Sequence, residues 1–378
     1  MTPHKTSRRQ RIGVDCRLAG QRHAGIGRYV ENLISRLPAL APEIDWIYFF
    51  HDAEQAAEIS GWKQKNVELV YVPVRHYTVQ EQLLLPRVFG QKKLDLLHVP
   101  HFNVPIFYRG KMIITIHDLL WHEYKGNHVT TLPAWKYRLK YGLYRYTVNS
   151  AISRAQTVLV PAETIRKTVG KQYPVAKRKI IVTPEGVDTD IFLVGRSQAS
   201  LRGLKKGKNI LYVGSLYPHK NIRLVIDALH QLSGYTLMLV GSRNVFQEEV
   251  EKYVSEKGLS RRVFFLGHLS DSELAEVFPN VTALVQPSLS EGFGLTGIEA
   301  MASGVPVLAS RIPIFEEIYQ DAAIFFDPKS TESLIKAVKS LVVLDRQKLI
   351  LSGKKVAAQY SWSKMVEQTL AAYQQLLA

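Results

Sequence analysis

In the stretch SEGFGLTGIEAMASG two carboxylates, Glu291 and Glu299, stand eight residues apart, with glycines at 292, 294 and 297 around them. The run ALVQPS before this stretch reads as a strand, LSEGFGLTG as the loop at its end, and IEAMAS as the opening of a helix. The amides of Phe293 to Thr296 would then project from a helix N-terminus toward an anion. A carboxylate beside them can accept hydrogen bonds from vicinal hydroxyls of a sugar. On spacing alone an equal reading makes Glu299 the cap of its own helix and Glu291 a solvated loop acid.

Other residue types with chemical potential sit at similar places. His117 ends the strand-like run KMIITIHD, where an imidazole can hydrogen-bond a hydroxyl, and Asp118 either orients it or caps the next helix. Gly25 and Gly27, in HAGIGRYV, read as a loop entering a helix whose amides face phosphate or acceptor. That stretch lacks the third glycine of a dinucleotide fingerprint. His98 and His101, in HVPHFNVP, are spaced for metal but have no third ligand nearby, so they read as an acceptor-side loop. Asp188 to Asp190 match an Asp-x-Asp metal pattern by letters, within GVDTDIF, and no metal site is expected. There is no Gly-x-x-x-x-Gly-Lys-Ser/Thr phosphate loop and no His-Glu-x-x-His.

The elements that must position these residues are short apolar runs alternating with helical patterns. The first half offers RIGVD, IDWIYFF, VELVYVP, LDLLHVP, KMIITIHD, TVLVPA and KIIVTPEGVD; the second offers KNILYVGS, TLMLVGS, RVFFLGH, ALVQPS, PVLAS and AAIFFD. Near-continuous apolar runs, rather than alternating ones, suit parallel strands buried on both faces. Asn221 and Ser270 precede helical patterns as start signals. The basic, weakly patterned DIFLVGRSQASLRGLKKGKN marks a linker over 189–207. The division expected is therefore 1–188, linker 189–207, 208–360, and a last helix over 361–378.

The totals agree with a globular chain of two domains: 378 residues, 46% hydrophobic and 22% charged. No run of about 18 uncharged apolar residues indicates a membrane span. The single cysteine, Cys16, excludes an intramolecular disulfide and fits a reducing, cytoplasmic setting. Net charge is +16, and residues 1–200 hold 29 Lys/Arg against 16 Asp/Glu, whereas residues 201–378 hold 20 against 17. The first half is thus where an anionic partner belongs. No recognition-helix or stacking-platform motif supports nucleic acid as that partner.

SEGFGLTGIEAMASGVPVLAS resembles the signature of family 4 retaining glycosyltransferases of GT-B fold, two Rossmann-like doubly wound parallel-sheet domains facing across a cleft. ILYVGSLYPHKNI, FLGHLSDSELAEVF, VTPEGVDTDIF, TIHDLLW and RLAGQRHAGIGRYVENLI resemble other family motifs in the family's order. The resemblance implies that Glu299 binds the ribose hydroxyls of a nucleotide sugar and Glu291 the transferred sugar. Phe293, Gly294 and Leu295 would approach sugar and diphosphate through their amides, and Lys220 would meet the diphosphate. A cation at that helix start runs against the helix dipole, so a merely structural lysine is disfavoured. His268 and Leu269 fall in the loop that resembles the family's base-binding loop, and His117 where members place a histidine against the donor sugar. Ser215 stands where many members carry arginine, which leaves Arg243 as a candidate second cation. The implied reaction moves a hexose, with mannose from GDP-mannose favoured, to a saccharide or lipid-linked acceptor, with no cofactor beyond the donor. UDP-linked glucose or N-acetylglucosamine remains an alternative, as do a GT-B epimerase or phosphorylase.

One stretch stands apart. From Tyr124 through Ala162 there is no acid, while Lys125, Lys136, Arg138, Lys140, Arg145 and Arg154 are basic. Trp135, Leu139, Leu143 and Tyr146 recur at helical spacing. The expectation is that this stripe packs on the first sheet with its charges in water. The alternative is contact with an anionic membrane or a diphospholipid acceptor.

Overall fold

The computed structural model describes residues 8–20, 23–59, 61–120, 133–188, 208–241 and 245–378. The chain divides into two units, one of Met1–Leu119, Trp135–Glu185 and Trp362–Ala378, the other of Leu120–Ala134 and Gly186–Ser361. The sequence-predicted linker at 189–207, and Arg243, lie outside the described residues.

The first unit is built on seven strands: β1 (Arg11–Asp15), β2 (Asp45–Phe50), β3 (Val67–Tyr71), β4 (Leu96–Val99), β5 (Met112–Thr115), β6 (Thr157–Val160) and β7 (Ile180–Val182). They pair in the order β3-β2-β1-β4-β5-β6-β7, every pair parallel. β4, β5 and β6 are buried throughout, as their uninterrupted apolar sequences require. Trp46, Tyr48, Phe49 and Phe50 of β2 are fully buried, each such side chain contributing about 1.5–3 kcal/mol of transfer free energy. The helix Ala24–Leu40 packs on the C-terminal helix Trp362–Leu377, whose Tyr373 ring lies 6.2 Å from that of Trp46.

The second unit carries β8 (Lys208–Val213), β9 (Tyr235–Val240), β10 (Val263–Gly267), β11 (Ala283–Gln286), β12 (Val307–Ser310) and β13 (Ala323–Phe326). Their order, β10-β9-β8-β11-β12-β13, is the doubly wound dinucleotide-fold order, again all parallel. All thirteen apolar runs named above are strands. Ser270 forms a full capping box with Glu273 at the start of the helix Asp271–Val277.

Two local expectations are corrected. Asn221 precedes the helix Ile222–Gln231 but does not cap it through its side chain; it adopts φ 58° and its amide donates to the carbonyls of Pro287 (3.1 Å) and Pro328 (2.8 Å). It is a clamp between three loops. The stripe Trp135, Leu139, Leu143, Tyr146 does not pack on the first sheet. On the helix Ala134–Arg154 those four side chains are exposed, and the opposite face, with Tyr137, Val148, Ala151 and Ile152, is buried.

Candidate functional site

In an open parallel sheet, ligands gather where strands end and helices begin, at the switch in strand order. In the second unit that place lies between β8 and β11. β8 runs into Gly214 (φ 153°), Ser215 and a single 3-10 turn, Pro218–Lys220. β11 runs into the Glu291 loop and the helix Leu295–Ala302. The two loops are tied backbone to backbone, Leu289 N–H donating to the His219 carbonyl at 2.8 Å.

Across that tie, Lys220 Nζ meets Glu291 Oε1 at 2.5 Å, and Ser288 Oγ donates to the same oxygen at 2.8 Å. Both side chains of the pair are about four-fifths buried, with 19% and 17% exposure. Each charge thus offsets the desolvation of the other until something displaces one of them. His219, buried beside Lys220, is pushed down to about 4, first by burial and then by the lysine's charge.

Glu299 is buried in the body of the helix Leu295–Ala302. The N-cap is Gly294, with no side-chain cap bond, so the reading of Glu299 as a cap of its own helix does not hold. The glycines of this loop also answer to the protein itself. A Cβ on Gly294, which sits at φ 97°, would lie 2.2 Å from Tyr319 Oη; one on Gly297 would lie 2.3 Å from it and 2.5 Å from Gln286 Oε1. The Tyr319 hydroxyl shares its one hydrogen between the Gly294 carbonyl (2.7 Å) and Gln286 Oε1, and the Gln286 amide in turn donates to Thr296 Oγ1 at 2.7 Å. This brace, from the helix Pro313–Tyr319, fixes the turn that presents the Phe293–Leu295 amides. Phe293 and Leu295 are themselves buried, Phe293 edge-on to Tyr360 at 5.3 Å.

Beside the pair, Gly214, Leu216, Val240, Gly241, Phe265 and Gly267 line a cavity at the ends of β8, β9 and β10. Gly241 cannot carry a Cβ, which would fall 2.2 Å from the Gly214 carbonyl oxygen. His268 is exposed and Leu269 half-buried just beyond Gly267, and Ser215 is half-buried above β8. Arg243 would follow β9 but is outside the described residues.

In the first unit the sequence-predicted residues separate. His98 is a core histidine: its Nδ1 meets the Tyr373 hydroxyl (2.5 Å), its Nε2 the Thr115 hydroxyl (2.8 Å), and burial pushes it down to about 3. The acceptor-side reading fails for it, because the ring lies inside the sheet-helix interface. His101 is buried at the loop after β4, its ring tilted against that of Phe102 at 3.9 Å, accepts from the Asn103 N–H, and is likewise pushed down to about 3 by burial first. His117, after β5, faces the Pro100 carbonyl through Nε2 (3.2 Å) and Glu185 Oε1 through Nδ1 (2.9 Å). The ring is held from both sides within its own unit. Asp118 is half-buried next to it. Gly25 is exposed and Gly27 buried in the first turns of the helix Ala24–Leu40; a Cβ on Gly27 would lie 1.9 Å from the Gly20 carbonyl oxygen.

Three partners were not singled out from sequence. Glu185 is legible only as the acid of Pro-Glu-Gly at a strand's carboxyl end. Ser288 and Tyr319 carry no signal without the fold. The same holds for the buried network on the first unit's strand ends. There Arg17 grips Asp15 (2.8 and 2.7 Å) and Glu81 (2.9 Å), and Asn103 donates to Glu81 at 2.9 Å. Burial alone would raise the Asp15 carboxyl, but the Arg17 guanidinium outweighs it and holds it below its ordinary value.

Comparison with known proteins places this geometry. Residues 23–191 match the family described as Glycosyltransferase Family 4, and residues 197–356 the family described as Glycosyl transferases group 1. The O-antigen chain mannosyltransferase RfbU of Salmonella typhimurium is 30% identical over 67% of this chain and 66% of its own length. The O-antigen chain mannosyltransferase B of Escherichia coli is 25% identical over 93% of this chain and 96% of its own. Among solved structures, the sucrose-phosphate synthase of Thermosynechococcus elongatus superposes with a TM-score of 0.78 at 20% identity, covering 97% of this chain and 99% of that one. Two Rossmann-like parallel sheets in one chain give the GT-B fold, shared with that structure. The chain belongs to the glycosyltransferases that join a family 4 first domain to a group 1 second domain.

Proposed function

We propose that the chain transfers a hexose, mannose from GDP-mannose in the reading we favour, to a hydroxyl of a saccharide or lipid-diphosphate acceptor in polysaccharide or glycolipid assembly. The observation that carries the sugar-nucleotide reading is the largely buried Lys220–Glu291 pair at the ends of β8 and β11. The mannose reading is supported by relatives that bear mannosyltransferase names. Glu299 and the cavity beside Gly214 and Gly241 would hold ribose and base, and His268 and Leu269 would border the base.

The bond from C1 to the donor phosphate oxygen breaks as the acceptor oxygen bonds C1 on the same face, which retains configuration. The acceptor's proton passes to the leaving phosphate. Charge growing on that diphosphate is met by Lys220 and by amides at the start of the helix Leu295–Ala302. Glu291 is released from Lys220 to bind the sugar's hydroxyls. These groups need no metal to do this, so turnover is expected to survive chelation by EDTA. The test is a product assay across GDP-mannose, UDP-glucose and UDP-N-acetylglucosamine with a lipid-linked saccharide acceptor. Transfer from GDP-mannose alone fits; transfer only from a UDP-sugar replaces the donor, and transfer from none contradicts the reading.

A further inference from the structure

We propose that the outer face of the helix Ala134–Arg154 is a docking surface for an anionic lipid bilayer. The helix is apolar on two opposite faces. The inner one carries the row Tyr137, Tyr141, Tyr144, ring to ring at 5.8 and 6.1 Å, with Tyr144 edge-on to Phe102 at 5.2 Å. Below it Val148, Ala151 and Ile152 are buried against the unit. That face meets the helix's need for a core contact. The outer one carries Trp135, Leu139, Leu143 and Tyr146 at 66%, 64%, 60% and 60% exposure.

At the helical period these four side chains fall within about 80° of arc. Lys136 and Lys140 border one edge of that band and Arg138 and Arg145 the other, by the same geometry. No acid occurs in the helix, nor anywhere from Tyr124 to Ala162. Two further apolar side chains of the same unit, Phe107 and Leu83, are exposed. Arg154 donates to the carbonyls of Pro105 and Tyr108, which brackets the exposed Phe107. Gln82 accepts from Ile106 N–H at 2.7 Å, which brings the exposed Leu83 beside the same loop.

An apolar band between two rows of cations suits one partner. Leucines and Phe107 enter the acyl boundary, Trp135 and Tyr146 sit at headgroup level, and the long cationic side chains reach out to phosphates. Each cation near such a surface contributes about 1 kcal/mol. A second copy of this chain fits poorly, since two acid-free cationic faces would meet. Nucleic acid fits poorly too, because Leu139 and Leu143 offer phosphate nothing. The surface belongs to one unit and stands independently of the glycosyl-transfer reading.

The test is co-sedimentation of the full chain with phosphatidylcholine vesicles, with and without phosphatidylglycerol, at low and high salt. Binding is expected only with phosphatidylglycerol, weakened by salt. Leu139→Ser/Leu143→Ser and, separately, Lys136→Gln/Lys140→Gln are each expected to lower the vesicle partition coefficient about tenfold or more. Both pairs are exposed, so the melting temperature stays unchanged, and the polar pair serves if the leucine pair misfolds. Equal binding to both vesicle types, binding untouched by either pair, or a dimer in solution that Leu139→Ser/Leu143→Ser dissolves would overturn the proposal.

Discussion

Lys220 and Glu291 lie 71 residues apart in sequence and 2.5 Å apart in space. Their pairing gives each a measurable consequence. Lys220→Ala is expected to cut kcat by about 10²–10³, the usual cost of one preorganised group on a developing anion, and Lys220→Arg to restore only part, because a planar fork does not replace a point charge. A variant with wild-type kcat would remove Lys220 from the reaction. Glu185 makes a different kind of prediction. Its carboxyl meets the His117 ring at 2.9 Å in a buried contact. Glu185→Ala leaves that ring without its partner and should destabilise the chain by about 3–5 kcal/mol in urea unfolding, whereas Glu185→Gln, which still offers an oxygen, should cost less. Equal losses for the two variants would show that an oxygen facing the His117 ring contributes nothing.

At the scale of elements, the turn between β11 and the helix Leu295–Ala302 is held by Tyr319 and Gln286 against Gly294 and Gly297. Gly294→Ala meets both a positive φ and a hydroxyl at 2.2 Å. It should lower stability by about 1–3 kcal/mol and weaken donor binding with it, read by melting temperature and by titration with GDP; a variant that binds GDP as tightly as wild type would separate the brace from the site. Elements also show what could be seen beforehand. The strands were legible because a strand buried on both faces must be apolar nearly throughout, as LLHV, MIIT, TVLV and VLAS are, and the edge strand VELVY, with Glu68 exposed, still keeps its apolar residues in a short run. The direction of the helix Ala134–Arg154 was not. Trp135, Leu139, Leu143 and Tyr146 and the row Tyr137, Tyr141, Tyr144 and Val148 obey the same period on opposite faces, so periodicity could not say which faces the sheet. Charge supplied the missing cue: the cations border the exposed band. The two-acid loop was recognisable as a pattern, but its glycines looked like room for a ligand, and Tyr319 takes part of that room.

Among the described residues, three buried histidines have depressed proton affinity across the molecule, His98 and His101 at about 3 and His219 at about 4. Folded, they stay neutral where the unfolded chain, near 6.5, is protonated. Unfolding therefore takes up protons, and stability is lost as pH falls from about 6.5 toward 4, by about 1.4 kcal/mol per pH unit for each histidine. Urea midpoints should fall through this window, and His98→Gln should flatten the slope; an unchanged slope would show His98 protonated in the fold. Two parallel sheets and the family they belong to define a glycosyltransferase, and the central claim is that its donor is clasped where β8 and β11 end. Isothermal titration of GDP and UDP into the wild-type chain, Lys220→Ala and Glu291→Gln tests this most directly. One nucleotide should bind the wild-type chain, Lys220→Ala should lose at least about tenfold in affinity, and Glu291→Gln should bind at least as tightly, since its competing carboxylate is gone. Equal affinity of Lys220→Ala and wild type for both nucleotides would contradict the account.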